Sequence, residues 1–215
     1  MAVECSLGEF RGADGSCSLS EKDQKSVVIL QGPSAIGHEN EKLYRHIGHI
    51  NLHCTLFQQE NPRIGDLLLL RLIENCVDRN LYPRTEILIH CDVQDQYNAG
   101  VDVRSFNATS LCLLDAAIRM NYFFSAVLVI KVVDQEQKRN ELVVNPDPDL
   151  LATAKNVFLY VFKPSLLEPV LIAETCYGGF TFEEMGKAMD LAKSNALKGL
   201  DFVRKEISLK LAKHF

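Results

Sequence analysis

Apolar and polar positions alternate in short runs along the first sixty residues. Val3–Leu7 alternates with period two, which predicts a half-buried strand. Ala13-Asp14-Gly15-Ser16 carries an Asp-Gly pair and predicts a hairpin turn. Cys17–Ser20 and Ser26–Leu30 continue as strands, with a break expected at Gly32-Pro33. Ile47–Phe57 alternates again and sets Ile50, Leu52, Cys54 and Leu56 on one face. Together these runs predict a β-meander.

The period then lengthens. Asn61-Pro62 has the form of an N-cap followed by proline at the first helical position, and the helix is expected to run to about Asn80. Leu67, Leu70, Ile73, Cys76 and Val77 make its apolar stripe. Tyr82-Pro83 ends it, and Thr85–Val93 alternates with Ile87, Ile89 and Cys91 facing one way. A turn at Gln96–Gly100 leads to a second helix, roughly Phe106–Arg119, with Leu111, Leu114, Ala117 and Ile118 inward. It is apolar almost all round, so it should be buried on several sides.

Strands are expected at Phe124–Val133, Glu141–Asn145, Thr153–Phe162 and Val170–Thr175. Thr181-Phe182-Glu183-Glu184 is a capping box that opens the last helix. Met185, Met189, Ala192, Ala196, Leu200, Val203, Ile207 and Leu211 recur along it at helical spacing. Strands, helix, strand, helix, strands, helix describes an α+β chain with mostly antiparallel sheets and three main helices. No internal repeat or linker appears, so residues 1–215 read as one domain.

Composition narrows the function classes. The chain is 47% hydrophobic and 24% charged, ordinary for a globular protein. It has no apolar run of transmembrane length, so no membrane partner is expected. Its start lacks a secretory leader pattern. Seven cysteines without a C-x-x-C pair read as reduced thiols of the cytosol or nucleus. Twenty-three basic and 28 acidic residues leave a net charge of −5, so nucleic-acid binding has to rest on a local patch or on partners.

Chemistry-bearing clusters have bland alternatives. His46, His49 and His53 would share a face only on a helix, and the alternation around them favours a strand, so no metal is expected there. Asp147/Asp149 and Asp92/Asp95 have the ligand type for a divalent cation, but their polar and proline-rich surroundings favour solvated turns. Cys91 needs a neighbouring base to act as a nucleophile, and His90 points away on a strand. No phosphate-cradling glycine motif occurs.

Several segments resemble the RNase PH family. Leu81-Tyr82-Pro83-Arg84-Thr85 followed by Ile89-His90-Cys91-Asp92-Val93 resembles its "YPRT…CDV" stretch. Ser105–Thr109 through Leu113-Leu114-Asp115-Ala116 resembles its "INAA…LADA" helix, and Leu142–Pro146 its "LIVDP" strand end. Gly12–Ser16, Val27–Leu30 and Gly32-Pro33 resemble the "ADGS…V…GP" of a eukaryotic branch found in the ring of the RNA exosome. The resemblance covers nearly the whole chain in order. It implies a fold like domain 2 of ribosomal protein S5. The implied setting is a hetero-hexameric ring of RNase PH-like exosome subunits, S1/KH-type cap subunits, RNA in the channel, and a nuclear, nucleolar and cytoplasmic location.

The same resemblance implies that catalysis is absent. Active members hold phosphate with the arginine of "GGTR", thirteen positions before the "LADA" aspartate; counted back from Asp115, that is Asp102. At ~4 Å and an effective dielectric of ~20, a unit-charge pair is worth about 4 kcal/mol, and aspartate reverses its sign. The paired carboxylates of the family map to Asn145 and Leu151, neither of which is charged. The implied role is a non-catalytic wall segment without cofactor or metal, touching RNA through Arg79, Arg84 and Arg104. Two alternatives stay open: a free homodimeric nuclease acting on RNA or DNA, with Asp147, Asp149 or Asp92 at a divergent metal site, and an interaction module without RNA.

Overall fold

The computed structural model describes residues 3–21, 24–37, 44–54, 64–93, 102–133, 140–165 and 168–214. They form two compact units, one on Met1–Asp95 with Arg104–Phe123, the other on Gln96–Val103 with Phe124–Phe215.

The first unit is a five-stranded sheet with two helices. Its strands are β1 (Glu4–Leu7), β2 (Gly15–Glu21), β3 (Gln24–Ala35), β4 (His49–Cys54) and β5 (Thr85–Val93), in the order β1-β2-β3-β5-β4. Only the first three strands form the expected meander. β4 instead pairs with β5, in parallel, with His49 opposite Glu86 and Cys54 opposite Cys91. The intervening helix α1 (Ile64–Cys76) is the crossover that a parallel pair requires. Residues 55–63, with Leu56 and the expected Asn61-Pro62 cap, lie outside the described residues, as do Asp95 and the turn at 96–100.

Three details of this unit correct the sequence reading. Asp14-Gly15 is not the hairpin turn: residues 8–14 connect the strands, and Gly15 already belongs to β2. A Cβ on Gly15 would stand 2.6 Å from the Ala116 Cβ, so the glycine is there for a close approach rather than for a turn. Gly32-Pro33 does not end β3 but bulges it, with the register shifting between Gln31 and Ser34. Asp14 braces the bulge, its Oδ2 accepting the Gly32 N–H at 2.7 Å. The buried stripe of α1 is Leu69, Leu72, Ile73 and Cys76, whereas Leu67 is 47% exposed and Leu70 half-buried.

α1 stops at Cys76 because the next residues are drawn into another pairing. Val77 bridges Met120, the Asp78 N–H donates to the Arg119 carbonyl, and the Asn121 N–H donates to the Cys76 carbonyl. A single 3₁₀ turn, Arg79–Leu81, follows. Helix α2 (Val103–Asp115), whose residues from Arg104 on lie in this unit, has an unbroken buried run from Ala108 to Leu113, as its composition predicts. It ends four residues early. Ala117 takes a left-handed φ of 52°, the Ile118 N–H donates to the Leu113 carbonyl and the Ala117 N–H to that of Leu114. That is a Schellman closure, in which buried Leu113 and Ile118 are its apolar pair. Ala117 is therefore exposed and Leu114 only half-buried, contrary to the inward stripe expected for both.

The second unit is a four-stranded antiparallel sheet, β7-β6-β8-β9, built from β6 (Ser125–Val133), β7 (Asn140–Val144), β8 (Asn156–Lys163) and β9 (Val170–Tyr177). A short helix that the sequence reading did not expect, α3 (Pro148–Thr153), lies between β7 and β8 and includes Thr153, the first residue of the expected strand. Pro148 stands at its first position, where proline's fixed φ favours helix, and the strand is delayed to Asn156. Helix α4 (Phe182–His214) opens on the expected capping box: the Thr181 N–H donates to Glu184 Oε2 at 3.0 Å and the Glu184 N–H to Thr181 Oγ1 at 3.3 Å.

Ala188, Ala192 and Ala196 recur every fourth residue of α4 and are fully buried on Val127, Val129, Phe158, Tyr160 and Phe162. Small side chains on the helix leave room for three aromatic residues on the sheet. Leu200 is the last buried position of α4 among the described residues, and Leu211 is 54% exposed. Length explains this: the 33-residue helix extends about 50 Å, whereas eight-residue β8 spans about 26 Å. All seven cysteines are free thiols. Burial pushes Cys76 up to about 12. Among the described residues no helix is long and apolar enough to cross a membrane.

Two predictions test this packing. Ala192→Leu should overpack the helix–sheet contact and lower unfolding free energy by about 1–3 kcal/mol in a urea titration. The hydrogen bonds from Lys131 Nζ, at 2.6 Å, and from the Thr181 backbone hold the Glu184 carboxyl below the usual glutamate range. Stability from this group is therefore present above the ordinary glutamate value and lost as pH falls through the lowered one. Glu184→Gln should flatten the acid limb of a melting-temperature profile while leaving its shape above pH ~6 unchanged.

Candidate nucleic-acid interface

Asp102 directly precedes α2, at the N-cap position, and is half-buried. Unpaired N–H groups and the helix dipole make such a terminus attractive to anions. A carboxylate there suits the positive end of the helix dipole and opposes an incoming phosphate. Arg104, two residues on, is half-buried and has interactions of its own within the protein.

Asn145 follows the last residue of β7. Its N–H donates to the Leu128 carbonyl at 2.8 Å, and its Oδ1 accepts the Leu128 N–H at 3.2 Å. The side chain thus supplies the acceptor that a further strand residue would have supplied. Its φ of 44° is left-handed, a region asparagine tolerates better than most residues. Leu151 lies within α3, half-buried, its N–H donating to the Asp147 carbonyl at 2.9 Å. Asp147 is the N-cap of that helix and Asp149 lies in its first turn, a placement that suits the helix dipole.

The three arginines singled out in the sequence differ in what they have left to offer. Arg79 is committed: its Nε donates to the Gly48 carbonyl at 2.8 Å, its backbone carbonyl accepts the Gly48 N–H at 2.8 Å, and Glu74 lies 3.7 Å from its guanidinium. It clamps the chain entering β4. Arg84 is exposed, with a left-handed φ of 59° held by its N–H on the Tyr44 carbonyl and by the Ile36 N–H on its own carbonyl. Its guanidinium makes no polar contact among the described residues.

The remaining candidates do not assemble into a metal or nucleophile site. His46 lies exposed in the loop before β4, while His49 and His53 share one face of that strand. His49 Nδ1 is 3.1 Å from Glu86 Oε1, and His53 stacks on His90 with centroids 5.4 Å apart. Among the described residues no three metal-ligating side chains converge. Cys91 is buried against the Thr109 hydroxyl at 3.6 Å, on the sheet face opposite exposed His90.

The sequence reading missed Asp115, whose Oδ2 accepts the Ser16 N–H at 2.9 Å and fastens α2 to β2. Its place in the "LADA"-like stretch marks the residue but not that task. Asn145→Ala should cost about 2 kcal/mol by orphaning the Leu128 N–H and losing a residue suited to positive φ. Asn145→Asp, which keeps the acceptor, should cost less in the same denaturant titration.

No family profile matches the chain. Exosome complex component Rrp41 of Archaeoglobus fulgidus is 26% identical over 217 residues, covering 95% of this chain and 80% of that protein. Human exosome complex component RRP41 is 27% identical over 136 residues, 58% of this chain, and the match spans only about half of the human protein, 55%. The crystal structure of rice Rrp46 superposes with a TM-score of 0.77 at 16% identity, covering 94% of this chain and 93% of that one. An Archaeoglobus fulgidus exosome with RNA bound to the active site gives 0.66 at 14% identity, covering 96% and 88%. The chain is a relative of exosome component Rrp41 and has the RNase PH-like α+β fold of exosome ring subunits.

Proposed function

We propose that this chain is a non-catalytic structural subunit of the RNA exosome core ring, of the Rrp46 type. It supports 3′-to-5′ RNA processing and degradation, ribosomal RNA maturation included, by forming channel wall and docking its neighbours. Residues 1–215 act as one RNase PH-like domain. Its partners are other RNase PH-like chains in a hetero-hexameric ring, S1/KH-type cap subunits, and RNA in the channel. The setting is the nucleus and nucleolus, and also the cytoplasm.

One observation carries the non-catalytic reading. Asp102, Asn145 and Leu151 stand where the RNase PH resemblance expects a phosphate-binding arginine and two carboxylates. Each is used locally: Asp102 at the start of α2, Asn145 in closing β7 onto Leu128, Leu151 within α3. Phosphorolysis needs a cation for the incoming phosphate and charged groups for metal and proton handling. An anion, an amide and an aliphatic side chain supply neither. A ring segment needs only its core and its interfaces, and permanent interfaces bury large areas whatever remains of the chemistry. RNA contact is assigned to Arg79, Arg84 and Arg104; Arg79 already donates to Gly48 and lies beside Glu74, and Arg104 has interactions within the protein, which leaves Arg84 the most exposed of the three.

Purified chain incubated with RNA, phosphate and a divalent metal should release no nucleoside diphosphate above a protein-free control. Release that depends on phosphate and disappears in Arg104→Ala would sink the non-catalytic reading. Chain tagged and purified from native cells should bring down other RNase PH-like chains in a complex of ring mass; a free homodimer would favour the nuclease alternative.

A further inference from the structure

At the end of the first sheet where β5 begins, two loops are tied together. The Arg84 N–H donates to the Tyr44 carbonyl at 3.0 Å, so the backbones of Arg84 and Arg45 are neighbours. The Arg119 N–H donates to the Tyr82 hydroxyl at 2.8 Å, which brings the segment after α2 to the same rim. Arg45, His46, Arg84 and Arg119 are all exposed. None of the four side chains makes an ion pair or hydrogen bond among the described residues.

Among the described residues, two carboxylates of this region are already engaged. Glu74 is taken by Arg71 and Arg79, at 2.9 and 3.7 Å. Glu86 accepts from His49 and from Asn51 at 3.0 Å. Asp78 is half-buried. In a chain of net charge −5, three guanidinium groups without an ion pair among the described residues share one rim. Planar guanidinium forks suit phosphate oxygens. The backbone that carries them is fixed: Tyr44 stacks on His49 with centroids 4.2 Å apart, and Arg79 holds Gly48 by two hydrogen bonds. The cations are therefore presented on ordered loops.

We propose that this rim is a binding site for the phosphodiester backbone of single-stranded RNA, with Arg45, Arg84 and Arg119 as its phosphate contacts. It deepens the ring-subunit reading and rests on RNA being the substrate of the assembly. It lies at the start of β5, about 26 Å along that strand from Val93. Binding is sequence-independent, because the Tyr44 ring is already stacked and the Tyr82 hydroxyl already accepts, leaving charge rather than base stacking to supply the affinity. Exposed Leu81 gives the rim one apolar side chain, so an acidic segment of another protein is the rival occupant.

The test is fluorescence anisotropy of the purified full chain with a labelled oligouridylate of about 20 nucleotides, titrated between 50 and 200 mM salt. Arg45→Ala with Arg84→Ala should weaken binding at least tenfold at the lower salt and reduce the log–log salt slope by about 1.4, near 0.7 per lost contact. The double lysine variant should restore most of that slope. Unchanged affinity and slope in the double alanine variant would overturn the proposal. So would a rim that binds polyglutamate, sensitive to Leu81→Ser, but not RNA; that result assigns it to an acidic protein segment. Melting temperature checks that the surface variants fold. Co-purification with RNase PH-like chains reads ring membership separately, so either conclusion can fail alone.

Discussion

Helix α2 approaches β2 so closely that residue 15 has no room for a side chain: a Cβ there would lie 2.7 Å from the Cys112 carbonyl oxygen. Asp115 then accepts the backbone N–H of the next strand residue, Ser16. The glycine permits the approach and the carboxylate fixes its register. With helix and strand locked, Cys17 and Cys112 are both wholly buried, and the Schellman turn after α2 delivers Arg119, Met120 and Asn121 to the end of α1. The truncation of α1, the placement of the 3₁₀ turn and the clamp of Arg79 on Gly48 all follow from that delivery.

The second unit solves its packing by the opposite size choice. Alanines on α4 face aromatic residues on β8, so bulk sits on the sheet and closeness on the helix. Tyr160 is fully buried yet satisfied, its hydroxyl donating to the Met185 carbonyl at 3.0 Å. This arrangement does not depend on the identity of residues at the end of β7 or in α3. Asn145 and Leu151 could therefore take up structural tasks there without disturbing the core. Asn145 completes a hydrogen-bond pair with Leu128, and Leu151 continues a helix begun by Pro148.

Electrostatics connect these local choices to function. A negative group stands at the start of α2, where an anion would otherwise be favoured. Arginines without an ion pair among the described residues stand at the start of β5. The net charge of the whole chain, −5, reveals neither, because it sums over all positions; among the described residues Glu74 is held by Arg71 and Arg79, and Glu86 by His49 and Asn51.

Periodicity alone determined the strands, the three main helices, the buried faces of β5 and the capping box of α4, because each depends on neighbours within a few residues. The motifs around Tyr82–Val93, Ser105–Ala116 and Leu142–Pro146 added the family resemblance, and with it the three substituted positions. Tertiary structure decided what local pattern cannot encode. The parallel seat of β4 depends on a strand thirty residues away. The early end of α1 depends on Arg119–Asn121, and the stripe on Leu69 and Leu72 rather than Leu67 and Leu70 depends on which side of a run of four leucines meets the sheet. The short α3, which no periodicity announced, begins where Pro148 sets a helical φ, and the expected strand starts at Asn156 instead of Thr153. The roles of Asp115 and Arg79, one an anchor and the other a clamp, appear only when residues far apart in the chain come within hydrogen-bond distance.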